Sequence, residues 1–260
     1  MNRIETVFST LKGKRAALIP FIMGYDPDAK TSMALLEALP AAGADLIEIG
    51  MPFSDPMADG PVIQAAGLRA LSAGASVSKI LEMVRAFRKT NQDTPIILMG
   101  YFNPVYRYGN ERFCKDAAAA GVDGIILVDL PPEEEGEIRA PLEASGLKLI
   151  RLIAPTSLED RLPMLTQSAS GFVYYISVAG ITGAKSATAA SLKNALHKIR
   201  TATTLPIAVG FGIKTPEQAK DVAQLADAVV VGSALVEVLQ RSGRDAAVAF
   251  VSSLSAALKP

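Results

Sequence analysis

Apolar residues in this chain come in short unbroken runs, not in strict alternation. Eight such runs, rich in Val and Ile, lie near positions 16, 45, 95, 123, 147, 171, 205 and 227: "AALIPFI", "DLIEIG", "PIILMG", "DGIILVD", "LKLIRLIA", "GFVYYIS", "LPIAVGFG" and "DAVVVG". An unbroken run of this length marks a strand buried on both faces, the habit of parallel sheets. Between the runs lie segments with helical spacing of apolar residues, among them "TSMALLEALPAAG", "SVSKILEMVRAFRKT" and "PEQAKDVAQL". Eight strand–helix units predict an α/β chain folded as a closed (β/α)8 TIM barrel, with residues 1–260 as one catalytic domain and an extra helix at the N-terminus. The competing arrangement is an open doubly wound sheet. Its glycine fingerprint is missing after the first run, which continues as "MGYDPDAKT". One smaller pattern recurs: small residues, an Asp, then an apolar run, as in "AGADLIEIG", "AGVDGIILVD" and "LADAVVVG".

Composition narrows the classes. A length of 260 residues is ordinary for such a barrel. Lys plus Arg and Asp plus Glu both number 26, so the net charge is zero and nothing points to nucleic acid. No apolar run approaches the roughly 18 residues of a membrane span. The opening "MNRIETVFSTLKGKRAAL" carries charges every few residues and does not read as a signal peptide. The single Cys114 forms no disulfide within the chain. The expected setting is the cytoplasm, with a plastid as the alternative for a plant protein although no transit peptide is read.

Two loops are longer than a barrel needs: 51–61 after the second run, and 178–190, "VAGITGAKSATAA", after the sixth. Both follow strands, so both open on the C-terminal face, where active sites of this fold lie. The seventh run leads into "GFGIKTPEQ" and the eighth into "GSALVEVL". In the first, Gly210 and Gly212 allow close approach of the backbone to a ligand, with Thr215 as N-cap and Pro216 at the first helical position. In the second, Gly232 and Ser233 open a helix with free N–H groups. Glycine loops after strands seven and eight are the phosphate site of many barrels. The plainer alternative is that these glycines only make tight turns.

Glu48 stands in the second apolar run, near the C-terminal end of its strand, where it can point into the barrel mouth. A desolvated carboxyl has a raised pKa and suits acid–base work near neutrality. The structural alternative is a buried ion pair. Asp59 follows in "ADGP", where turn chemistry or an N-cap would explain it equally well. The only histidine, His197, lies in a helix-like segment, so His-ligated metal sites and Ser–His triads are not expected. Cys114 has no evident base. Lys148 begins its strand at the wrong end for a Schiff base, while Lys185 and Lys214 lie in loops.

The motifs "LIEIGMPFSDPMADGPVIQ", "MGYFNPVYRYG", "VDLPPEE", "YYISVAGITGAK" and "VGFGIKTPEQ" make the chain resemble the tryptophan synthase α-subunit family over essentially its whole length. The resemblance implies cleavage of indole-3-glycerol phosphate to indole and glyceraldehyde 3-phosphate, a retro-aldol step without metal or organic cofactor. It makes Glu48 the general acid/base and Asp59 the second catalytic carboxylate. Tyr101 and Tyr174 would line the pocket, and Phe21 and Met99 would bound the indole. Met99 stands where some members carry Leu, a nearly volume-conserving change. Thr182 would couple the mobile loop to Asp59. Gly183, Phe211, Gly212, Gly232 and Ser233 would complete the substrate site around the phosphate. The implied partner is a β subunit in an α2β2 complex that carries pyridoxal phosphate and consumes the indole. The loop face with "SDPMADG", "YFNPV" and "DLPPEE" would dock it, with Asn103 and Pro131 in contact. Two alternatives compete: a sugar-phosphate isomerase barrel, and a catalytically silent phosphate-binding barrel that only activates a partner.

Overall fold

Nine strands, all parallel to their neighbours, form the framework of the computed structural model, which describes residues 2–176, 189–210 and 212–259. They are β1 (Ala17–Met23), β2 (Ile47–Gly50), β3 (Ile96–Gly100), β4 (Gly124–Leu127), β5 (Lys148–Leu149), β6 (Arg151–Ile153), β7 (Val173–Ile176), β8 (Ile207–Gly210) and β9 (Ala228–Val231). Their order is β5-β4-β3-β2-β1-β9-β8-β7-β6. The two ends of this sheet are one stretch of chain, since only Ile150 separates β5 from β6. The Ile150 N–H donates to the Ile125 carbonyl at 3.0 Å, so the stretch serves as a single stave. The eight apolar runs therefore become eight staves of a barrel, the fifth interrupted once.

Strand periodicity sorts the side chains. Ala17, Ile19, Leu46, Ile97, Ile126, Ile150, Phe172, Tyr174, Ala208, Ala228 and Val230 pack together in the interior. Their neighbours, such as Leu18, Ile47, Ile49, Leu98, Ile125 and Val229, pack outward against the helices. Both faces are buried, which is why the runs show no alternation. The N-terminal helix Arg3–Leu11 starts with a capping box between Asn2 and Glu5. It plugs the N-terminal end of the barrel with Ile4 and Phe8, and Phe8 meets Phe172 at 5.6 Å between ring centroids. Gly124 leaves room for this plug: a Cβ there would stand 3.1 Å from Ile4 Cδ1. Helices beyond one per unit also appear. Pro61–Ser72 and Val77–Arg88 both join β2 to β3, and Phe102–Tyr108 and Asn110–Ala120 both join β3 to β4.

The recurring Asp has a structural meaning. Asp45 donates its N–H to the Leu18 carbonyl at 2.9 Å, and its carboxylate accepts the Leu18 N–H at 2.8 Å. Asp123 does the same to Ile96, at 2.9 Å both ways. Asp227 does it to Ile207, at 2.9 and 2.8 Å. Each carboxylate is also held by an arginine: Arg15 on Asp45, Arg88 and Arg3 on Asp123, Arg200 on Asp227. Ser170 makes a fourth clamp, on Leu149, at 2.8 Å both ways. Counted by staves, the clamps join one to two, three to four, five to six and seven to eight. They start each ladder at the N-terminal end, where strand N–H groups would otherwise lack acceptors.

Candidate active site

At the opposite, C-terminal end the carboxylates are differently placed. Glu48 shares the inward parity of Leu46 and is in register with Phe21 on β1 and Ile97 on β3. It has no solvent exposure, and among the described residues neither carboxylate oxygen has a hydrogen-bond partner. The buried ion pair is thus not what Glu48 makes there. Burial pushes its carboxyl from the ordinary 4.5 up to about 8. At about 1.4 kcal/mol per pH unit, that shift resists ionisation by roughly 5 kcal/mol more than water does. A single fully buried Val, Leu or Ile contributes roughly 1.5–3 kcal/mol, so the surrounding core outweighs this cost. Tyr174 on β7 is also buried. Desolvation, and then the charge of Glu48, raise its phenol well above 10, so the two groups share one interior space.

Asp59 lies in the loop between β2 and the helix Pro61–Ser72. The residue at the N-cap is Gly60, with no side-chain cap, so capping does not explain Asp59. The backbone does make a turn here: the Asp59 N–H donates to the Pro56 carbonyl at 3.2 Å. Burial pushes the Asp59 carboxyl up to about 6, and a hydrogen bond from the Tyr101 hydroxyl partly offsets this. Tyr101 is 2 % exposed. Its hydroxyl accepts the Ala58 N–H at 3.0 Å, and its ring leans on Phe53 at 5.6 Å. Burial raises the Tyr101 phenol to about 12. One tyrosine therefore holds the tip of the loop that carries Asp59.

Phe21 and Met99 flank the same mouth. Phe21 packs with Met23, Ala66, Ala70 and Val236, and half-buried Met99 bridges this cluster to the barrel interior. The Phe21 ring lies over Gly50, where a Cβ would come within 2.7 Å of Cζ. Gly232 sits beside Phe21, with its Cβ position 3.5 Å from Phe21 Cβ. It begins the helical stretch Ser233–Ala257, which is broken by a kink at Gly243, with no side-chain cap, leaving the first N–H groups to another acceptor. Gly212 has φ +77, which favours glycine there. Thr215 caps the helix Pro216–Ala223, accepting the Gln218 N–H at 3.3 Å. At Gly210 a Cβ would meet the Tyr174 hydroxyl at 2.3 Å, so the glycine makes room for that tyrosine.

Phe21 and Met99 lie in the C-terminal halves of β1 and β3, Glu48 and Tyr174 inside the four-residue strands β2 and β7, and Asp59, Tyr101, Gly212 and Gly232 in segments that follow strands, with Ser233 opening the helix after β9. Thr182, Gly183 and Phe211, with most of the 178–190 loop and Lys185, lie outside the described residues. The residues set aside in the sequence are elsewhere. Lys148 pairs with Glu5 at 2.6 Å at the plugged end. Lys214 and His197 are exposed. Cys114 is buried on a helix, its thiol pushed up to about 11. Among the described residues no cluster of His, Cys, Asp or Glu is placed to hold a metal ion, and no helix is long and apolar enough to cross a membrane.

Three groups near the mouth carry no signal in the sequence. Asp26 is buried under a two-pronged contact from Arg69, at 2.7 and 2.9 Å, which ties the β1 loop to the helix after Asp59. Arg151, nearly buried, donates to the Leu130 carbonyl at 2.8 Å and pairs with Glu135. Asp129 accepts the Phe102 N–H at 2.7 Å. Only the distance in space between these residues reveals them, since their partners lie 16 to 43 positions away.

The fold and this mouth define a (β/α)8 barrel with its candidate chemistry at the C-terminal face. A family model described as tryptophan synthase alpha chain matches residues 8–257. The tryptophan synthase alpha chain of Gluconacetobacter diazotrophicus is 56 % identical over 243 residues, 93 % of this chain and 89 % of that one. That of Gluconobacter oxydans is 58 % identical over 240 residues, 92 % and 89 % of the two chains. The crystal structure of tryptophan synthase subunit alpha from Legionella pneumophila superposes with a TM-score of 0.91 at 42 % identity, covering 99 % of this chain and 98 % of that one. The chain belongs to the tryptophan synthase alpha chain family, and its role lies in tryptophan biosynthesis.

Proposed function

We propose that the chain is a carbon–carbon lyase that cleaves indole-3-glycerol phosphate to indole and D-glyceraldehyde 3-phosphate. The observation that carries this reading is Glu48: a carboxyl with no exposure and no hydrogen-bond partner among the described residues, inside the mouth of a barrel. With a carboxyl raised to about 8, Glu48 is mostly protonated at neutral pH. It protonates indole C3, which breaks the ring's aromaticity and leaves positive charge on the ring nitrogen. The resulting carboxylate takes the proton of the hydroxyl next to the scissile bond. That oxygen becomes the aldehyde carbonyl as the bond breaks, and the bonding pair returns to the ring and restores indole. Glu48 ends protonated, ready for the next turnover.

Asp59, with a pKa of about 6, is mostly ionised at neutrality and stabilises the cationic ring through its N–H. Phe21, Met99 and Tyr174 bound the aromatic ring, which a sugar-phosphate isomerase would not need. Gly232, Ser233 and Gly212 meet the phosphate with backbone N–H groups, joined by Gly183 and Phe211, and Thr182 engages Asp59. The chain needs no cofactor of its own. Indole passes to a β subunit that carries pyridoxal phosphate in an α2β2 complex. The loop face with exposed Asn103, Met57 and Tyr106 and half-buried Pro131 docks that partner. The test is to supply purified protein with indole-3-glycerol phosphate and follow indole. Release of indole supports the lyase. Its absence, in the chain alone and with a β subunit, rejects it in favour of a silent barrel.

A further inference from the structure

We infer that Asp129 is a positioning residue for this reaction, acting through the Phe102 amide and Tyr101 on the loop that carries Asp59. The inference rests on the lyase reading above, and it names a residue which that reading leaves without a role.

The contacts form an unbroken series. Helix Phe102–Tyr108 begins with Tyr101 at its N-cap, which offers no side-chain cap. Its first N–H, that of Phe102, goes instead to Asp129 Oδ1 across the β3–β4 boundary at 2.7 Å. The residue before, Val128, donates its N–H to the Gly100 carbonyl at 2.9 Å. Asp129 thus extends the β3–β4 ladder one step past its end, as Asp123 begins the same ladder at the other end. Its own backbone is anchored. Arg151 binds the next carbonyl, that of Leu130, at 2.8 Å and is itself fixed by Ser168 at 3.0 Å and by Glu135. On the far side of the Phe102 amide stands Tyr101, buried, with its hydroxyl accepting the Ala58 N–H next to Asp59 in the loop.

The geometry gives Asp129 a specific lever. It fixes the peptide between Tyr101 and Phe102, and that peptide sets where the Tyr101 ring points. The phenol in turn is one of the few polar contacts holding the 51–60 loop in place. Without the Asp129 acceptor, water can satisfy the Phe102 N–H, because Phe102 is half-buried. The fold survives, but the aim of Tyr101 is lost.

The test is a double-mutant cycle read by indole release, with Asp129→Ala, Asp129→Asn and Tyr101→Phe alone and combined. Asp129→Ala should lower kcat about ten-fold with KM nearly unchanged, a coupling of ordinary size for contacting residues. Asp129→Asn should recover most of that loss, since its amide oxygen still accepts. In the Tyr101→Phe background, Asp129→Ala should change kcat less than two-fold. Equal losses in both backgrounds would overturn the inference, as would an unchanged kcat in Asp129→Ala. If Asp129→Ala does not fold by circular dichroism, Asp129→Ser, too short to reach, takes its place in the same cycle. Hydrogen exchange at the Ala58 amide separates this inference from the lyase reading. Asp129→Ala should speed that exchange even if wild-type protein releases no indole, and an unchanged rate would overturn the inference whatever the activity.

Discussion

The two ends of this barrel treat carboxylates in opposite ways. At the N-terminal end Asp45, Asp123 and Asp227 each accept a strand N–H and an arginine. At the C-terminal end Glu48 is more deeply buried than any of them and has no partner among the described residues, and Asp59 has a tyrosine. All sit beside apolar runs and look alike in composition. The difference is chemical readiness. A carboxylate that already holds arginines and strand N–H groups serves the fold. One that lacks them is held near neutrality in pKa and can exchange a proton. The clamps are concentrated at one end of the staves and the proposed chemistry at the other.

The largest expected effect that would break this comparison is Glu48→Gln. The amide keeps the shape but cannot shuttle a proton, so indole release should fall by ~10²–10⁴-fold while circular dichroism is unchanged. Activity within a few-fold of wild type would remove Glu48 from the chemistry. At the other end, Asp123→Ala should leave kcat per folded molecule intact but cost about 3–5 kcal/mol in urea unfolding, because it strands the buried Arg88. A loss of kcat with normal stability would erase the division between the two ends.

The same contrast has a pH signature. Glu48 has a higher pKa folded than unfolded, so its ionisation penalty is absent at low pH, and stability falls as pH rises from about 4.5 to about 8. Glu48→Gln should abolish that fall and be more stable than wild type at pH 9, by up to roughly 5 kcal/mol. The two proteins should converge below pH ~4.5. Curves that stay parallel across this range would mean that Glu48 ionises freely. For activity, kcat/KM should be bell-shaped, with one limb near 6 as Asp59 ionises and one near 8 as Glu48 loses its proton. Asp59→Asn should remove the acid limb and lower kcat more than it raises KM.

Smaller effects sharpen the picture. Gly232→Asp puts a negative charge at an uncapped helix start, and should weaken inhibition by glycerol phosphate. Unchanged inhibition would move the phosphate site. Smallest is Arg200→Met at the plugged end. Its ion pair with Asp227 is half exposed, at 46 % and 38 %, and should contribute about 0–1 kcal/mol. A cost like that of Asp123→Ala would show that exposure does not grade these clamps.

Much of this was legible along the chain. Unbroken Val- and Ile-rich runs are what a strand buried on both faces requires, so eight runs define eight staves without any contact being known. The Thr-Pro start at 215–216 and the uncapped Gly-Ser start at 232–233 depend on local backbone chemistry and are equally readable. So is the repeated Asp, though its purpose is not: "SASGF" makes the same clamp with Ser170, which a search for Asp misses. Tertiary structure decided the rest. Whether Glu48 is paired or bare depends on side chains brought in from other staves, and Asp59 is freed from the capping role only by the position of Gly60. Gly210 turns out to be a berth for Tyr174, which no local pattern announces. Asp129 acquires a task because closing the sheet sets it beside an amide 27 positions away. Periodicity and caps are local, set by the backbone's own repeat. The charge state of a carboxyl is set by everything within a few ångströms, and only the closed barrel determines what that is.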